Sequence, residues 1–127
     1  MAHSLGVTDN SGTLTQHGAP TYIELCVEDA DKARVFYGAL FGWSVDGDAG
    51  PGQASTGGLG VGIHDGDPSS LLEVFFSVDD LEHAVARLVE LGGETVSEVH
   101  AENAAFGRWV ECRDDQGVRF GLRQPPG

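Results

Sequence analysis

Apolar and polar residues alternate from Tyr22 to Val27 and again from Glu73 to Val78. Ile23, Leu25 and Val27 share one parity, and Tyr22, Glu24 and Cys26 share the other. In the later run Val74, Phe76 and Val78 oppose Glu73, Phe75 and Ser77. A period of two predicts strands, with the apolar set turned toward a helix. Each run then passes through aspartates into a helical period. Asp29 is a predicted N-cap, and Ala33, Phe36, Tyr37 and Leu40 form a stripe that ends at Gly42. Asp79 or Asp80 caps the second helix; with Asp79 as cap, Glu82 occupies the capping-box position. Leu81, Ala84, Val85, Leu88 and Leu91 make its stripe, which stops at Gly92 and Gly93.

The two segments are copies. "IELCVEDADKARVFYGALFGW" begins at Ile23, and "VFFSVDDLEHAVARLVELGGE" begins 51 positions later at Val74. Asp29 then meets Asp80, Ala33 meets Ala84, Leu40 meets Leu91 and Gly42 meets Gly93. Two copies are too few for a solenoid, so a pseudo-symmetric domain is expected. Further strands follow each helix: "WSVDG" and "ASTGGLGVGIHDG" in the first copy, then "ETVSEV", "GRWVECR" and "VRFGLRQ" in the second, with "DDQG" as a hairpin turn. The predicted plan is α+β, with two βαβββ modules at about 20–66 and 71–124 in a single domain of residues 20–127. Residues 1–19, polar and rich in Gly, Ser and Thr, are expected to be a flexible arm.

Charge narrows the partners. The 127 residues hold 20 acids against 7 bases, a formal net charge of −13. That excess disfavours nucleic acid and anionic membrane surfaces, which both require cations on the protein. It suits a neutral or cationic small ligand. Cys26 and Cys112 form neither a disulfide framework nor a zinc-finger spacing, and Cys26 reads as a small packing residue. No run is long enough to span a bilayer, and the N-terminus has no apolar signal core, so a cytoplasmic protein is expected.

The segments "YIELCVEDADKARVFYGALFGW", "VFFSVDDLEHAVARLVELGGE" and "FGRWVECRDDQGVRFGLRQ" resemble the vicinal oxygen chelate superfamily. The first and last are most similar to its glyoxalase/bleomycin resistance branch. The resemblance covers about residues 20–124 and implies two βαβββ modules whose sheets curve around a cleft for metal or ligand. Members that bind metal hold it from the first and last strand of each module. Carried over by position, those places fall on Tyr22, near Gly62, on Glu73 and on Gly121. Only Glu73 is a usual ligand, and metal catalysis needs about three. No cofactor is therefore expected, a divalent metal included.

What the resemblance implies is a small-molecule-binding protein, metal-independent, sequestering a drug or metabolite. The alternative it leaves open is a glyoxalase-like lyase, isomerase or dioxygenase that uses a divalent metal through Glu73. Tyr22, Glu24, Glu73 and Phe75 are the expected ligand-binding residues, joined by Trp43, Trp109 and Arg119. Aromatic rings would stack and carboxylates would attract a cationic or aromatic ligand. A homodimer is expected. The directions of Trp43 and Trp109 stay open at this stage. So does the meaning of Gly58, Gly60 and Gly62, which would either leave room for a ligand or mark close strand packing.

Overall fold

A computed structural model describes residues 16–127. The greater part of the expected arm, residues 1–15, lies outside the described residues. The chain forms two compact units. One is Tyr22–Val74; the other is Phe75–Gly127 with the described residues before Tyr22.

The first unit is built from β1 (Pro20–Cys26), α1 (Ala30–Phe41), β2 (Ser44–Val45), β3 (Gly52–Ser55) and β4 (Gly60–His64). β1 pairs parallel with β4, β4 antiparallel with β3, and β3 antiparallel with β2. The helix starts where the Asp29 side chain accepts from the Lys32 N–H at 3.1 Å. It ends at Gly42, whose φ of 76° is left-handed backbone that a Cβ would disfavour. Leu25, Ala30, Ala33, Ala54, Val61 and Ile63 form the core, with Ile23, Val27, Tyr37, Trp43 and Val45 packed against it. The predicted strand parity is therefore the observed one. The helical stripe is not. Phe36 and Leu40 are 58% and 59% exposed, and α1 meets its sheet through the small Ala30 and Ala33 with Tyr37 beside them. A stripe of large apolar residues reports which face is apolar, not whether this chain covers it.

The second unit repeats the plan with β5 (Leu72–Ser77), whose first three residues belong to the first unit, then α2 (Leu81–Glu90), β6 (Glu94–Thr95), β7 (Arg108–Arg113) and β8 (Arg119–Gln124). β5 pairs parallel with β8, β8 antiparallel with β7, and β7 antiparallel with β6. Asp80, not Asp79, is the cap, accepting from the His83 N–H at 3.0 Å. Glu82 is thereby freed from a capping box and pairs instead with Arg108. Val78, Leu81, Val110, Cys112 and Leu122 form the core, flanked by Ala84, Val85, Leu88 and Phe120. Phe76 has the predicted direction, lining a hollow with Ala84 and Leu88, but it is only half-buried. Phe75 and Ser77, on the opposite face, are the fully buried pair, at 3% and 0% exposure. Residues 18 and 19 are held in place, since the Gly18 N–H donates to the Ser77 carbonyl and the Ser77 N–H to that of Ala19.

Among the described residues, no helix is long and apolar enough to cross a membrane.

Candidate functional site

In the first unit the sheet face away from α1 carries Tyr22, Glu24 and Cys26 on β1, set against Gly60, Gly62 and His64 on β4. The glycines leave no vacancy. A Cβ at Gly62 would coincide with the Tyr22 hydroxyl and lie 2.9 Å from Glu24 Oε1, while one at Gly60 would lie 3.2 Å from the Tyr22 ring. Tyr22 therefore lies down across the strand that lacks side chains. Its hydroxyl accepts from Gln53 Nε2 at 2.8 Å. Tyr22, Glu24, Gln53, Gly62 and His64 line a hollow of about 310 Å³, edged by Pro51 and Gly52. Two larger hollows, about 740 and 720 Å³, are lined in part by α1 and by α2. The converging polar groups of Tyr22, Glu24 and Gln53 favour the smaller one as a binding site.

The rim of that hollow is organised by Arg34. Its guanidinium donates to the carbonyls of Gly50 at 2.8 Å, Gly47 at 3.0 Å and Asp46 at 2.5 Å, with longer contacts to Val45, Ala49 and Pro51. The Asp46 side chain then accepts from the Gln53 N–H at 2.8 Å, and Gln53 reaches Tyr22. One helical cation thus fixes the loop that aims Gln53. Replacing Arg34 with Ala should lower stability by about 1–3 kcal/mol, the scale of a few partly exposed hydrogen bonds to a charged donor. Urea denaturation measures it. Limited proteolysis should cut first within residues 45–51.

The second unit builds its matching face from rings. A Cβ at Gly121 would overlap the edge of the Phe75 ring and lie 2.6 Å from its Cγ. Phe75 meets Trp109 edge-to-face at 5.6 Å and Phe106 at 6.2 Å. His100 stacks on Trp109 at 4.1 Å, and the Arg123 guanidinium lies 4.2 Å over the Phe106 ring. Val110 and Cys112 enter the helix-side core, so Trp109 and Glu111 face away from it. Arg119 Nη2 stands 3.6 Å from Glu111 Oε2.

The expected site residues are therefore placed as follows. Tyr22 and Glu24 come together in the first unit, and Phe75 and Trp109 in the second. Trp43 does not join Tyr22. It stacks on Tyr37 at 5.3 Å and packs against the helix-side core. Glu73, expected among the ligand-binding residues, is 1% exposed. The positions at which the superfamily holds metal offer a phenol engaged with Gln53, two glycines whose space is filled by rings, and one buried carboxylate.

Sequence reasoning passed over Gln53 and Phe106, which lie in a loop or near a strand end without periodicity. It also passed over a group at the end of β1. Cys26, His64 and Asp67 place one ligand atom each within 4.8 Å of the others. Burial, then the nearby Asp67, Glu24 and Glu73 carboxylates, push the Cys26 thiol up to about 12. The Ser69 hydrogen bonds hold the Asp67 carboxyl below its usual range, with Cys26 and His64 adding to the effect. Shared parity with Tyr22 and Glu24 was the available sign that Cys26 faces this side of the sheet.

Two βαβββ modules with their polar and aromatic faces turned from the helices define a protein of the vicinal oxygen chelate fold. The chain belongs to the glyoxalase-like domain family, whose profile matches residues 22–123. It is 28% identical over 123 aligned positions to CFP32 of Mycobacterium bovis, a glyoxylase by provisional name; the match covers 86% of this chain and 46% of that protein. The chain thus spans about half the length of the curated relatives it matches. Methylmalonyl-CoA epimerase from Mycobacterium tuberculosis shares the fold at 18% identity, with a TM-score of 0.65 over 94% of each chain. So does a glyoxalase/bleomycin resistance protein/dioxygenase superfamily member from Vibrio splendidus, at 14% identity and a TM-score of 0.61 over 81% of this chain and 96% of that one.

Proposed function

We propose that this chain binds a small, cationic or neutral aromatic molecule without using metal at the superfamily's ligand positions, in the manner of a sequestering resistance protein. The observation that carries the reading is the filling of Gly62 and Gly121 by Tyr22 and Phe75. Where ligands for a metal would stand, this chain has put aromatic surface and a phenol. Glu24 beside Tyr22 supplies the charge that would draw a cation, and a net charge of −13 adds a favourable field. A hollow of about 310 Å³ suits a small metabolite or a fragment of a larger drug. Phe75, Glu73, Trp109 and Arg119 belong to the same proposal as residues that shape or contact the ligand.

One observation favours an enzyme as the second reading. Glu73 is fully buried at a position from which the superfamily binds metal, and a buried carboxylate is a candidate ligand or base. Elemental analysis of protein purified without chelator separates the two. The binding reading expects no metal whose retention depends on Glu73. About one metal per chain, lost on Glu73→Gln, would establish the enzyme reading instead.

A cytoplasmic homodimer is part of the proposal. Phe36, Leu40 and Phe41 on α1 are each more than half exposed and supply apolar surface for a second copy. Light scattering across a concentration series reads the oligomeric state.

A further inference from the structure

We propose that Cys26 Sγ, His64 Nδ1 and a carboxylate oxygen of Asp67 bind a borderline-soft divalent cation of the zinc class at the end of β1 and β4. This centre lies away from the superfamily's ligand positions. Cys26 is four residues beyond Tyr22 on the same strand face, and His64 is two beyond Gly62. It also departs from the expectation that the chain binds no divalent metal.

Three elements deliver the donors. Cys26 and His64 are register partners across the parallel β1–β4 pair, so their side chains leave the sheet side by side. The turn after β4 is tied back to the chain beyond β1. The Val27 N–H donates to the His64 carbonyl at 2.9 Å, the Asp67 N–H to that of Val27 at 2.9 Å, and the Gly66 N–H to that of Glu28 at 3.2 Å. Asp65 accepts from the Ala30 N–H at 2.7 Å, which anchors the same turn to the start of α1. Asp67 is itself oriented. Its Oδ1 accepts from the Ser69 N–H at 2.9 Å, which leaves Oδ2 turned toward His64. Ser70 holds a left-handed φ of 61°, an uncommon conformation for a residue other than glycine, at the end of this turn.

The spacing fits a tetrahedral ion. His64 Nδ1 and Asp67 Oδ2 are 3.3 Å apart. With metal–nitrogen and metal–oxygen bonds of about 2.0–2.2 Å, a tetrahedral N···O edge is about 3.4 Å. A thiolate, an imidazole and a carboxylate together select zinc or cobalt over magnesium or calcium, because sulfur is a poor donor to hard cations. The thiolate and carboxylate charges balance a divalent ion, and the Glu24 and Glu73 carboxylates lie close enough to the sulfur to add attraction. The Ser69 N–H is the outer contact that aims a ligating carboxylate. Three protein donors leave the fourth position to water or a small ligand, and the exposed edge of His64 provides a path of entry.

The test is titration of the reduced, metal-stripped chain with Co2+. We expect a sulfur-to-cobalt charge-transfer band in the near ultraviolet that saturates at about one Co2+ per chain and is displaced by Zn2+. Cys26→Ser should abolish the band, and His64→Ala and Asp67→Asn should each weaken binding at least about tenfold. Glu73→Gln should retain the band. Far-ultraviolet circular dichroism checks that each variant folds. As a second measurement, Zn2+ should raise the melting temperature of the parent chain and not that of Cys26→Ser. The proposal is overturned if the parent shows no band, if the band survives Cys26→Ser, or if Glu73→Gln abolishes uptake, which would place the ion at the superfamily positions. The last outcome would also overturn the metal-free ligand reading above; the first two leave that reading standing, since it is tested with organic molecules.

Discussion

Gly121→Ala should destabilise the second unit by about 3 kcal/mol or more, beyond the usual range for an added methyl in a core. The new carbon would overlap the Phe75 ring, which is 3% exposed and boxed by Trp109 and Phe106. Neither partner can yield. Gly121 is paired backbone in the middle of β8, and the ring has rings beside it. In the melting temperature the loss corresponds to about 10 °C or more for a chain of this size. The cost should fall sharply in a Phe75→Leu background, where the side chain can turn aside, giving a coupling of about 1–3 kcal/mol between the sites. Urea unfolding of the four proteins supplies the cycle. A neutral Gly121→Ala would mean that the ring does not occupy the position, and that the face is open to a ligand after all.

The second large effect concerns charge. Changing Glu24→Gln together with Glu73→Gln should weaken a cationic aromatic ligand by about 1–3 kcal/mol, the scale of hydrogen bonds to charged groups. That is roughly 5- to 150-fold in affinity. A neutral ligand of the same shape should change little. Glu24 lines the hollow beside Tyr22, while Glu73 is buried and contributes through a field poorly screened by solvent. Calorimetric titration with matched cationic, neutral and anionic aromatic compounds decides it, after thermal melts confirm that the double variant folds. If an anion binds most tightly, or the double change leaves cation binding intact, Arg119 and Arg123 define the site in place of the carboxylates.

The sequence made the fold legible through its periods. Ile23, Leu25 and Val27 alternate because one side of β1 meets a helix, and their burial follows. The 51-residue offset between Ile23 and Val74 then carried the same reading into the second module. Phe36 and Leu40 show where periodicity stops informing. It separates an apolar face from a polar one, but coverage depends on what lies opposite. The glycines of β4 and β8 are ambiguous for a related reason. An absent side chain is visible in sequence, whereas the ring that fills the space comes from a neighbouring strand. Tyr22 was legible as a site residue because it stands at a known family position. Cys26 and His64 were not read together, since only the β1–β4 register makes them neighbours. Trp109 lay on an undecided face until Val110 and Cys112 were seen to enter the core.

Arg34 holds the loop from Val45 to Pro51 through main-chain oxygens alone. A cation that grips carbonyls does not read side chains. The shape of this loop is therefore insulated from its own sequence at Asp48 and Ala49, of which only the Ala49 carbonyl enters that grip. Substitutions there should leave the rim in register, because its hold on Arg34 runs through main-chain oxygens. The residue that holds the rim, Arg34, is thus distinct from the two rim residues that are free to vary. Sequence drift at those two positions is thus a change the edge can absorb without having to regain its fold.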